Sequence, residues 1–265
     1  MIALTIAGSD SGGGAGIQAD IKTFSALGVY GASVITAVTA QNTLGVTAVH
    51  SIPADIVAAQ LDAVLSDLDV RAIKIGMLAD VAVIEVFAER LAGVAVPVVL
   101  DPVMVAASGH RLVPEEAVAS ISANLFPRAA IVTPNLPEAA VLLGTAEART
   151  EAEMIAQAEA LAARGPSVLL KGGHLSGAES VDVFLHEGRS ELLRSPRVET
   201  RNTHGTGCTL SSAIAAHIAR GATLDAAVRS AKAYISAAIA AADTLNVGRG
   251  HGPVHHFHAL WPHLS

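Results

Sequence analysis

The chain has 265 residues, 51% of them apolar and 15% charged, with a formal net charge of −7. That length and apolar content suffice for one compact core, so a single domain over 1–265 is expected. Acidic and basic residues are interspersed without a basic stripe, which argues against a nucleic-acid partner.

In chain order, segment 2–7 reads as a first β-strand: it lacks the basic n-region and cleavage site of a signal peptide. Further short runs rich in Val, Ile and Leu at 33–40, 72–75, 96–100, 130–133 and 168–170 read as strands. Amphipathic, Ala-rich stretches at 15–26, 54–68, 81–91, 114–124, 136–142, 151–164, 206–220 and 224–245 read as helices. Continuous apolar strands separated by helices imply an α/β fold, a mostly parallel sheet covered on both faces. The pattern over 180–193, with Glu187-Gly188-Arg189 at its middle, predicts a hairpin at the sheet edge. No apolar run approaches the ~18 residues of a membrane span. With a single cysteine and no disulfide framework, a cytoplasmic setting is expected.

Ligands of an open parallel sheet bind beyond the carboxyl ends of its strands, so the residues just past each strand carry the most information. Here these are Gly8–Gly16, Gln41-Asn42, Gly76-Met77, Asp101-Pro102-Val103, Asn135-Leu136-Pro137-Glu138 and Lys171-Gly172-Gly173. The run Asn202-Thr203-His204-Gly205-Thr206-Gly207-Cys208 leads straight into a long helical segment. Such a junction presents several N–H groups at a helix N-terminus, where the dipole favours an anion. A thiol at that positive end is expected to ionise readily and to accept a proton from a hydroxyl. The competing reading of the same run is a glycine turn with an inert, buried Cys208.

Gly14-Ala15-Gly16-Ile17-Gln18-Ala19 fits the loose dinucleotide pattern, but Gln41 stands where an acidic ribose ligand is required. No Walker sequence exists. The first glycine loop therefore reads as a cover or close-approach site. Asp101 either projects into the cleft, holding a cation or substrate, or caps its loop. Asn135 and Glu138 form a helix-capping pair or, alternatively, Glu138 orients hydrated Mg²⁺. Lys171, at a strand's carboxyl end, is placed for a phosphate. His251, His255, His256 and His258 sit in a Gly/Pro-rich stretch without acidic or Cys companions, a poor metal set. Anion hole, lysine, carboxylates and thiol together suggest phosphoryl transfer from a nucleotide, which needs mainly positioning and charge stabilisation.

The runs Gly8 to Asp20, Thr39-Ala40-Gln41-Asn42-Thr43, Asp101-Pro102-Val103-Met104, His204-Gly205-Thr206-Gly207-Cys208 and 250–257 closely resemble one family. It is the hydroxymethylpyrimidine/phosphomethylpyrimidine kinase family of thiamine biosynthesis, in the ribokinase-like superfamily. The resemblance implies a three-layer αβα sandwich, ATP as donor, Mg²⁺ and a homodimer. It implies two successive transfers, onto 4-amino-5-hydroxymethyl-2-methylpyrimidine and then onto its monophosphate. In that reading Cys208 is the base, and the N–H groups of Gly205, Thr206 and Gly207 stabilise the phosphoryl group in transit. Gln41 reads the pyrimidine edge, with Asp20, Met77 and Val103 completing the ring pocket. Asn135, Glu138 and Lys171 serve nucleotide phosphates and magnesium, with Asp101 near the metal. Ala107 departs from the polar residue expected of many relatives. A pyridoxal kinase of the same lineage, also using a Cys at the anion hole, is the nearest rival. A ligand sensor without turnover is the alternative of another class, and the intact anion hole, Glu138 and Lys171 argue against it.

Overall fold

The structure, a computed structural model, describes residues 1–104, 113–173, 175 and 177–261. Its centre is an eight-stranded sheet made of β1 (Ile2–Ala7), β2 (Tyr30–Ile35), β5 (Val70–Ile75), β6 (Val98–Leu100), β7 (Ile131–Val132), β8 (Ser167–Lys171), β9 (Glu179–His186) and β10 (Arg189–Pro196). In space these run in the order β10-β9-β8-β7-β6-β5-β1-β2. From β2 to β8 every pairing is parallel, while β9 and β10 form the expected antiparallel hairpin at one edge.

Both faces of the sheet are covered, which is why its strands read as continuous apolar runs. One face packs Leu4, Ile6, Ile73, Ile75 and Leu170 against α2 (Ala54–Asp67), α3 (Val81–Arg90), α4 (Glu115–Asn124), α5 (Leu136–Leu143) and α6 (Glu151–Ala162). The other packs Ala3, Ala72, Val99, Ile131 and Leu169 against α1 (Gly16–Ala26), α7 (Thr206–Ala219) and α8 (Leu224–Ala240). The layers are thus those of an αβα sandwich. Among the described residues no helix is long and apolar enough to cross a membrane.

Two expectations fail. The strand expected over 33–40 divides at Thr36, whose N–H makes the last rung to the Ala7 carbonyl at 3.0 Å. Beyond it β3 (Ala37–Asn42) leaves the sheet and pairs antiparallel with β4 (Gly45–Ser51), a strand absent from the sequence reading. The β4 side chains are largely exposed and a bulge at Ala40/Gln41 breaks the pairing register, so no clean apolar alternation announces this hairpin. Likewise α8 stops at Ala240, and residues Ala242–Thr244 form a separate 3₁₀ turn. Asp243 in that turn accepts from Asn202 Nδ2 at 2.8 Å and from the Thr200 hydroxyl, tying it to the loop before α7.

Candidate active site

On the α7 side of the sheet each central strand is apolar within and polar at its carboxyl end, two residues on. The pairs are Ala3 and Thr5, Ala72 and Lys74, Val99 and Asp101, Ile131 and Thr133, and Leu169 and Lys171. Period-two alternation puts these polar groups on one face and parallel pairing sets them side by side. They lie in a row beneath a cleft of about 690 Å³ and fall into two bonded groups, one on Asp20 and one on Asp101.

At one end of the row, Lys74 Nζ lies 2.9 and 2.8 Å from the two oxygens of Asp20. Asp20 also accepts from Thr5 Oγ1 and Ser212 Oγ, each at 2.6 Å. Lys74 and Asp20 are both wholly buried, and Asp20 does not line the cleft. This corrects its expected place in the ring pocket: its oxygens are committed to strands and helices below the site. A buried pair of this kind fixes geometry, and deleting one partner costs about 3–5 kcal/mol by stranding the other charge.

Further along, Lys171 Nζ meets Asp101 Oδ1 at 2.8 Å, and Asp101 also accepts from Thr133 Oγ1 at 3.1 Å and Ser211 Oγ at 3.3 Å. Burial pushes the Asp101 carboxyl up, but Lys171 and Lys74 outweigh it and hold the group below its ordinary value. Glu138 and Asn135 do form the capping box, with Glu138 Oε2 accepting from Asn135 N and Asn135 Oδ1 from Glu138 N, each at 2.8 Å. Glu138 nevertheless lines the cleft beside Lys171. Burial, reinforced by the negative Asp101, pushes its carboxyl up to about 7 even though Lys171 opposes the shift. A carboxylate so short of positive charge suits a hard divalent cation. Among the described residues no three His, Cys, Asp or Glu side chains are set to enclose a metal. Asp101 and Glu138 thus fit an ion that keeps waters and phosphate oxygens in its shell.

Above the row stands the start of α7. Gly205, its N-cap, has φ +80°, and a Cβ there would lie 1.8 Å from the Gly14 carbonyl oxygen. Only glycine satisfies both the left-handed turn and that approach. A Cβ on Gly207 would lie 3.1 Å from Lys171 Nζ, so the lysine and the helix start face one another. Thr206 N–H is already committed to the Thr203 carbonyl at 3.2 Å, which corrects its inclusion among the anion-binding amides. The first N–H groups of a helix have no intrahelical partner, and those of Gly205 and Gly207 remain open to an anion.

Cys208 lines the cleft and is only partly covered. The expectation of an easily ionised thiol fails. Desolvation, with the Asp20 and Asp101 charges, pushes it up to about 11, although Lys74 and the Gly16 N–H favour the thiolate. The helix start is flanked by carboxylates, and their field opposes the effect expected of the dipole.

Gln41 and Val46 from the β3–β4 hairpin, Met77 and Val103 also line the cleft. Three of the four are expected there from the sequence; Val46 escapes that reading together with its strand. Gln41 Oε1 accepts from Thr39 Oγ1 at 3.3 Å. The glycine loop is closed on itself. Asp10 folds back into it and accepts from Gly12 N at 2.8 Å, Gly14 N at 3.0 Å and Ala15 N at 2.8 Å. An internal carboxylate occupies the donors that a phosphate would need, so this loop is a cover. Asp10 also accepts from His204 Nε2 at 2.8 Å. Nothing in the sequence pairs Asp10 with His204, because no local pattern joins residues so far apart along the chain. Ala107 lies outside the described residues. Of the C-terminal histidines, His256 is buried against Thr209 Oγ1 at 3.1 Å, and burial pushes its ring down to about 3. His258 Nδ1 pairs with the His255 carbonyl at 3.1 Å, and His251 is exposed.

The family model for phosphomethylpyrimidine kinase matches residues 10–255. The chain belongs to that family. It is 60% identical over 261 residues to the hydroxymethylpyrimidine/phosphomethylpyrimidine kinase of Rhizobium meliloti, covering 98% of each chain. Among solved structures, the phosphomethylpyrimidine kinase of Clostridium difficile is 44% identical with a TM-score of 0.79, over 90% of this chain and 100% of that one. The pyridoxal kinase of Bacillus subtilis, solved with ADP, is 38% identical with a TM-score of 0.88, over 96% of both. The kinase family and the αβα layering agree with what the motifs implied.

Proposed function

We propose that this chain, as one catalytic domain over 1–265, phosphorylates 4-amino-5-hydroxymethyl-2-methylpyrimidine from ATP and then phosphorylates the monophosphate. The product would be the pyrimidine half of thiamine phosphate, as the resemblance implies. One observation carries the reading. Cys208 and the start of α7 line a single cleft together with Gln41, Val46, Met77 and Val103 and with Lys171, whose Nζ faces Gly207.

Gln41 offers an amide that donates and accepts at once, matching an aminopyrimidine edge. Met77, Val46 and Val103 supply apolar walls. The nucleotide extends away from Gln41, its phosphates near Asn135, Glu138 and Lys171 and its base toward Pro196, Val198 and Ile239, which also line the cleft. Asp101 and Glu138 would hold Mg²⁺, which supplies charge neutralisation on the phosphates. The N–H groups of Gly205 and Gly207, with Lys171, stabilise charge on the group in transit. The thiolate form of Cys208, the minor form at neutral pH, takes the proton of the acceptor hydroxyl late, as the P–O bond forms, since a loose transition state asks little of its base.

Incubation with MgATP and the pyrimidine, followed by phosphorus NMR, tests this: the expected product carries a diphosphate. Pyridoxal kinase is the second reading, favoured by the likeness to the Bacillus subtilis enzyme. Under that reading only pyridoxal gains a single phosphoester. The homodimer would bury Tyr30, Val38 and Ile56, which are exposed on β2, β3 and α2.

A further inference from the structure

The two acceptors of the proposed sequence make opposite demands. The alcohol is neutral and must lose a proton as its oxygen attacks the γ-phosphorus. The monophosphate has pKa₂ near about 6, so at neutral pH its attacking oxygen is already anionic and no base is required. What it needs instead is a cation or donor beside the acceptor. In both steps an acceptor oxygen forms the new P–O bond while the bond to the β-phosphate oxygen breaks, and ADP leaves with that electron pair.

Most cations lining the cleft have other commitments. Lys74 is held by Asp20, Lys171 by Asp101, and Lys232 by Asp182 at 2.7 Å. Arg197 donates to four backbone carbonyls, among them Gly173 and Gly177. Beside Gln41 the only imidazole among the described residues lining the cleft is that of His204. Its Nε2 lies 2.8 Å from Asp10 Oδ2 and 3.4 Å from Gln41 Nε2, and its side chain is 11% exposed. Its backbone is fixed by Gly252 O and Val254 N, while a Cβ on Gly14 would stand 2.4 Å from its ring. Asp10 is over-supplied: without His204 it keeps three backbone donors. The ring can therefore turn away without leaving a bare buried carboxylate.

Resting on the functional reading above, we propose that His204 is the acceptor-phosphate contact of the second transfer, parked on Asp10 while the alcohol is bound. Selectivity between the two acceptors is then divided between the loop before α7 and the first turn of that helix. Cys208 serves the acceptor that carries a proton; His204 serves the acceptor that carries charge.

The test measures kcat/KM separately for the purified alcohol and the purified monophosphate, each with saturating MgATP. His204→Gln, which retains an N–H for Asp10, should lower the monophosphate-to-alcohol ratio at least tenfold, mainly through KM for the monophosphate. His204→Ala should lower it further, and Cys208→Ala should move it the other way. Calorimetric binding of the monophosphate alone should weaken in parallel. Equal losses on both acceptors in both His204 variants would reduce His204 to a loop support and overturn the proposal, as would an unchanged ratio. A parent enzyme active on the alcohol but inert on the monophosphate overturns it while sparing the kinase reading. One inert on both removes that reading as well.

Discussion

Cys208 is the single cysteine of the chain, and its surroundings decide what it can do. Held up to about 11, above an ordinary thiol, it stays largely protonated at neutral pH. Alkylation by iodoacetamide at neutral pH is therefore expected to be slower than that of a free thiol, read unambiguously by intact mass. Reaction as fast as a model thiol would show that burial and the neighbouring carboxylates do not govern it. Glu138 behaves in the opposite sense to a paired carboxylate. Its folded value of about 7 exceeds the ordinary 4.5, so between these values the folded chain binds more protons than the unfolded one. Relative stability from this group falls as pH rises through that window, while the carboxylate needed by a cation accumulates. The expected consequence is a limb of kcat/KM for MgATP that rises near pH 7, because kcat/KM reports the free enzyme. Glu138→Gln should abolish the limb and leave low, flat activity; a limb that persists would assign it elsewhere.

At the scale of elements, the site is a consequence of strands that turn polar near, at or just past their carboxyl ends. Lys74 reads as part of an apolar strand, since one lysine in Ala72-Ile73-Lys74-Ile75 has no local reason to be buried. Asp20 on α1 supplies the reason, and Lys74→Met should strand that carboxylate and cost about 3–5 kcal/mol in urea unfolding. Adding Asp20→Leu should restore part of the loss, and purely additive losses would deny the pair. The junction into α7 is equally specific. Gly205→Ala places a methyl at φ +80° against the Gly14 carbonyl, so roughly 1–3 kcal/mol of strain is expected together with displacement of the glycine loop. Full activity with unchanged stability would show that the two loops are not in contact. The glycines of this junction are legible in the chain itself; the opposing carbonyl is not.

For the molecule as a whole, the sheet order brings the ends of β6 and β8 and the start of α7 to one cleft, which Gln41 and Val46 of the β3–β4 hairpin line from outside the sheet. The exposed Val38 of the hairpin, Tyr30 of β2 and Ile56 of α2 carry the dimer reading. Sedimentation should give twice the 26.9 kDa chain mass, and a single-chain mass at micromolar concentration would remove the dimer. By itself the sequence determined the α/β class, the edge hairpin, the helix start at Thr206 and the rim where polar residues gather. Those features are local, because periodicity, glycine placement and strand ends are written in neighbouring residues. Only the tertiary structure decided that Asp20 lies beneath the site, that Asp10 fills its own loop, and that Cys208 holds its proton. These depend on the charges and donors that distant segments bring together, and burial in low dielectric amplifies each one far beyond what spacing along the chain reveals.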